Sequence, residues 1–213
     1  MPRYPVLVAA LLAALTVSLV VTIQLVDPVL ADVLTREDGV VEWLQVGLFA
    51  VAAVLALRGA WTTVKAGGSP VLEILLTALL GGLIIGEIDL DRLVFGRKII
   101  YTRFLVDEAV WLGWRALAAA VMAGVPAALV LYALRQRAEL VAAGYRALAE
   151  PSGRVLLAGL VIFALTETLE RPLGRIPGLP RYMVEEVLEL IAAICLCVAL
   201  SARAGEARRR AGG

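Results

Sequence analysis

The sequence predicts an all-α polytopic membrane protein, a bundle of about six transmembrane helices with an outer interfacial segment. Three observations predict it. The 213 residues are 61% hydrophobic and only 18% charged, with a mean hydropathy of +0.89, outside the range of soluble globular domains. Six apolar runs are long enough to be candidate spans, near residues 5–26, 40–57, 71–88, 110–134, 155–168 and 183–202. None of them alternates with period 2, which argues against a barrel. Little sequence remains for an aqueous module, so residues 1–213 read as one transmembrane domain.

The first run, Val6–Val26, is longer than the apolar stretch of a signal peptide and reads as a retained helix. Asp27–Gly39 follows as a short acidic connection. The second span opens with Glu42, Trp43 and Gln45, and Trp111 with Trp114 opens the fourth, as an aromatic belt would. The third begins after Gly67-Gly68-Ser69-Pro70, with Glu73 near the helix amino end, where the dipole favours an acid. Gly82 and Gly86 form a small-xxx-small pair suited to close approach by another helix. Gly124 and Pro126 predict a kink in the fourth span. Residues 87–108 interleave apolar and basic side chains and suit a helix on the outer interface. Residues 135–150 are Ala-rich and basic, broken by Pro151-Ser152-Gly153, and either continue the fourth span into the cytoplasm or lie on the inner surface, a solvated basic helix attracted to anionic lipid. Cys195 and Cys197 lie two apart on different faces and read as small buried apolar residues.

Charge orients the bundle. With six alternating spans and a cytoplasmic amino terminus, the inner side holds eleven bases and four acids, a net +7. The outer side holds nine bases and fifteen acids, a net −6. Arg208, Arg209 and Arg210 after the last span also favour an inner carboxyl terminus. The expectation is a multi-pass inner-membrane protein with both termini cytoplasmic.

Six acids stand where charge meets hydrocarbon. Glu42, Glu87, Glu167, Glu170, Glu186 and Glu189 fall roughly 18–24 Å above the inner ends of their spans at about 1.5 Å rise per residue. Acids at one depth on four helices are costly to bury and form either a satisfied structural network or a functional site. Glu185 and Glu189 are i, i+4, while Glu186–Glu189 and Glu167–Glu170 are i, i+3, so each pair shares a face. Arg115, one turn inside Trp111, is the expected structural counter-charge, in contact with Glu87, Glu167 or Glu189.

Much chemistry is excluded. There is no histidine, which removes His bases and His-containing metal sites. Ser18, Ser69, Ser152 and Ser201 are the only serines, and none sits in a nucleophile elbow. The Glu87–Asp91 stretch lacks the glycine and final glutamate of a calcium loop, with Arg92 and Lys98 in their places. Glu185-Glu186 lacks the following arginine of glutamic intramembrane proteases, and residues 177–181 lack the serines of an undecaprenyl-pyrophosphate phosphatase loop.

The leading expectation is a protein that binds or translocates a cation or proton at the carboxylate layer. No cofactor is demanded, but an all-oxygen donor set would suit calcium, magnesium or manganese. The alternative is a non-catalytic structural or assembly subunit of a membrane complex. A carboxylate-dependent membrane enzyme comes third, for want of a nucleophile. The expected partners are the bilayer and another membrane protein or a second copy, with no nucleic acid.

Overall fold

The structure is a computed structural model that describes residues 4–35, 39–88, 110–173 and 181–211. It is all-helical, with no strand among the described residues. Among the described residues eight helices follow in order: α1 Tyr4–Val26, α2 Pro28–Thr35, α3 Val40–Lys65, α4 Val71–Glu87, α5 Leu112–Arg135, α6 Arg137–Ala149, α7 Pro151–Leu173 and α8 Arg181–Ala211. The expected interfacial segment falls on residues 89–109, which lie outside the described set.

Three stretches are long and apolar enough to cross a membrane: Tyr4–Val26, Pro28–Lys65 and Leu112–Arg135. A fourth is added if α6 and the Pro151–Thr166 part of α7 count as one bent span.

Helix α2 occupies what the sequence suggested was only a connection. Asp27 Oδ1 accepts the Leu30 N–H at 3.0 Å, and Pro28 holds the first helical position. An N-cap acid followed by proline is a start signal that the acidic character of the segment obscured. The end of α3 is equally explicit. Gly67 takes φ 72°, its N–H bonds the Val64 carbonyl at 2.9 Å, and the Gly68 N–H bonds Thr63 at 2.9 Å. That is a Schellman closure, which needs glycine at the left-handed position. Proline 126 lies inside α5, and the helix is not divided there.

Helix α8 is the centre of the bundle. It packs on α7, α3, α1 and α2, while α4 packs mainly on α3. Small residues set these distances. Phe49, Ala52, Ala56 and Ala60 line the buried side of α3, and Ala192, Ala193 and Ala199 are fully buried on α8. At Gly159 of α7 an added Cβ would stand 3.0 Å from Cys195 Cβ and 3.1 Å from the Ala192 carbonyl oxygen. The α7–α8 crossing is therefore near the limit of backbone approach. Cys195 is buried and Cys197 half-buried, both as thiols.

Candidate functional site

Helices α3 and α8 meet through one amide. Gln45 is fully buried, and its Nε2 donates to the Glu186 carbonyl at 2.8 Å and to Glu186 Oε2 at 3.0 Å. Both partners are acceptors, so the amide orientation follows from the geometry. The opposite atom, Gln45 Oε1, is buried with no hydrogen-bond partner among the described residues. One turn further along α3, Phe49 meets Phe163 of α7 edge to face, with centroids 6.2 Å apart and planes at 81°.

Above this floor is a cavity of about 330 Å³, lined by Glu42, Gly82, Leu83, Gly86, Glu87, Phe163, Glu185, Glu186 and Glu189. Its origin is mechanical. Helices α4 and α8 both lean on α3 rather than on each other, and α4 turns Gly82 and Gly86 toward the gap. Among the described residues nothing stands within 4 Å of a Cβ built on either glycine. The sequence suggested that this pair would admit a neighbouring helix, but the two glycines leave open space and widen the cavity. Bulk at either position would fill it.

Of the six acids singled out in the sequence, Glu42, Glu87, Glu186 and Glu189 line this cavity. Glu189 is the most buried, at 7% exposure. The side chains of Glu167 and Glu170 lie outside the described set. Glu185, noted for its spacing but left out of the candidate layer, is also on the wall. Gln45 and Phe163 were missed. A single amide or aromatic in an apolar run has no partner spacing to betray it, although an amide at membrane depth is itself a polar anomaly. Arg115 is half-buried on the first turn of α5 and is not part of the cavity wall.

The opposite end of the bundle is locked differently. Arg203 of α8 reaches Glu73 of α4 at 3.5 Å, and Gly59 of α3 makes room for the Glu73 side chain. This agrees with the structural role that the position of Glu73 suggested. Lys65 sits over the Trp61 ring at 5.2 Å at the same end. Fourteen residues of α4 separate Glu73 from Glu87, roughly 21 Å of helix. The acid-lined cavity and the basic closure thus occupy opposite ends.

Chemically, the cavity offers oxygen acceptors, an apolar floor and room for about one small ligand with water. Among the described residues no three acids stand close enough to hold a metal ion directly. No family model, curated protein or solved structure matches the chain.

Proposed function

We propose that the chain is a six-span inner-membrane protein whose acid-lined cavity takes up a cation or a proton from the outer side. One observation supports it above the rest. Five carboxylates, from α3, α4 and α8, line one open volume. Acids gathered at membrane depth around a cavity are the usual mark of an ion or proton pathway. A divalent ion would enter with part of its water shell, since the acids do not close on a bare ion, and magnesium is the ion most reluctant to shed its waters. Positions 167 and 170 follow Phe163 by i+4 and i+7 on α7, so Glu167 and Glu170 belong to the same site in this proposal. Arg115 serves it as a structural counter-charge.

Uptake is tested by thermal melting in detergent with calcium, magnesium or manganese. A ligand at ten times its Kd stabilises the fold by about 1.4 kcal/mol, a rise of roughly 3–6 °C for a chain of this size. Glu189→Gln should remove at least half of that rise, because Glu189 is the most buried acid of the wall. If no ion and no change of pH separates the two proteins, the site is structural and the chain is better described as an assembly subunit.

Topology is tested by single cysteines in a background lacking Cys195 and Cys197. A membrane-impermeant reagent should label positions 29 and 178 on intact cells, and positions 61 and 139 only after permeabilisation. Val29, Trp61 and Glu139 are all exposed on the bundle, so lack of labelling there does not come from burial within the protein. External labelling of position 139 would overturn the six-span arrangement.

A further inference from the structure

Helix α6 carries a surface that the bundle does not use. Its buried side, centred on Ala147, packs on α7 and α4. Beside that face, Val141, Tyr145 and Leu148 are 56%, 74% and 41% exposed, and their spacing of i, i+4, i+7 makes one stripe. Glu139 and Arg146 lie on another face, separated from the stripe by the turn of the helix. Four arginines, Arg135, Arg137, Arg146 and Arg154, accompany two acids, Glu139 and Glu150, in this short region.

The direction of the α6 axis is set by an elbow. The axis turns 107° between α6 and α7. Glu150, before Pro151, takes extended backbone angles, as the residue before proline must. Gly153 lies so close to the end of α6 that a Cβ there would overlap the Ala147 carbonyl. Across the turn, Arg154 Nε donates to the Leu148 carbonyl at 3.0 Å, closing one of the open carbonyls at the α6 terminus. The elbow is thus built from backbone contact and a charged cap. If α7 crosses the bilayer at the usual tilt of about 20°, an axis turned by 107° runs close to the membrane plane.

We propose that α6 is a membrane-plane helix that binds anionic lipid. Val141, Tyr145 and Leu148 enter the hydrocarbon boundary, and the arginines of α6 and its flanks reach phosphate headgroups. Tyrosine suits this depth, with its ring in the acyl boundary and its hydroxyl at the headgroups. The proposal rests on α7 spanning the membrane, which labelling of positions 139 and 178 tests independently.

The experiment places a nitroxide singly at positions 139, 141, 145 and 148 of the full chain, in the background lacking Cys195 and Cys197, reconstituted in nanodiscs. Each variant is used only if it melts with the unlabelled background. Collision with oxygen should exceed collision with a water-soluble nickel chelate at 141, 145 and 148, and the order should reverse at 139. Replacing one-third of the phosphatidylcholine with phosphatidylglycerol should move the probe at 145 deeper. Nickel dominance along the stripe would overturn the proposal by placing it in water. Low collision with both reagents would overturn it by showing a protein, such as a second copy, on the stripe. A depth at 145 indifferent to lipid charge would overturn the assignment to anionic lipid.

Discussion

Gly159→Leu should lower the melting temperature of the solubilised protein by roughly 6–12 °C, the equivalent of about 3 kcal/mol at this chain length. The reason is the α7–α8 crossing. Even a methyl at this position meets Cys195 Cβ at 3.0 Å, the Ala192 carbonyl oxygen at 3.1 Å and Leu196 Cδ2 at 3.2 Å. Two of those three atoms belong to backbone or to a first side-chain carbon, so they yield only if the helices separate. Leucine has no rotamer that avoids all of them. Helix propensity acts the other way, since leucine is the better helix former by somewhat under 1 kcal/mol. Gly47→Leu is the control, because Gly47 is exposed on α3 and has nothing within 4 Å of a built Cβ. It should melt no lower than wild type. A Gly159→Leu protein as stable as the Gly47→Leu protein would mean that α7 and α8 do not approach this closely.

The same substitution reaches the candidate site. Helix α7 supplies Phe163 to the cavity floor, and α8 supplies Glu185, Glu186 and Glu189 to its wall. Prising the two helices apart separates floor from wall, so any ion-dependent rise in melting temperature should shrink together with stability.

The contrast between Gly159 and the Gly82–Gly86 pair shows where sequence reading runs out. Both are small residues in apolar helices, and spacing alone favoured Gly82 and Gly86 as the packing face. The pair borders open space, and the close approach is at Gly159, which has no glycine three or four residues away. Local pattern says that a neighbour could come near. It does not say whether one does, since that depends on how α4 and α8 are each held by α3. Helix positions were more legible, because each apolar run must be continuous to be buried or to face lipid. The ends were less so: α3 runs on to Lys65 through Arg58 and Trp61, and α8 begins at Arg181 and continues to Ala211. Polar residues at helix ends cost little when they reach water or headgroups, so the edge of hydrophobicity is not the end of the helix. The acids were legible for the opposite reason. A carboxylate at membrane depth is costly enough to stand out, and the helical rise alone puts Glu42, Glu87, Glu186 and Glu189 near one level of their apolar runs.

Gln45→Met should destabilise the protein by about 2 kcal/mol, seen as a fall of roughly 4–8 °C in melting temperature. Methionine keeps the length and most of the volume of glutamine, so little of this loss comes from packing. What disappears is the pair of bonds from Nε2, at 2.8 Å to the Glu186 carbonyl and 3.0 Å to Glu186 Oε2. Hydrogen bonds between membrane helices often contribute less than 1 kcal/mol, because the separated helices find other partners. Here two acceptors of the half-buried Glu186 lose a donor that is itself fully buried, and one of them is a carboxyl oxygen. Removing a single partner from such a group costs more than removing both. The double variant Gln45→Met with Glu186→Met should therefore melt above Gln45→Met alone, by about 1 kcal/mol of recovered stability. The recovery stays incomplete, since the main-chain carbonyl of residue 186 keeps its helical bond but still lacks the second donor that Gln45 supplied. Both variants should lose part of the ion-dependent rise, because Glu186 is on the cavity wall and Gln45 fixes its carboxylate. The two readouts separate the roles of the pair. A single variant that loses stability but keeps the full ion response would make Gln45 a strut between α3 and α8 with no part in holding the ligand. If Gln45→Met melts with wild type, the amide contributes nothing, and the placement of Glu186 in the wall must come from α8 packing alone.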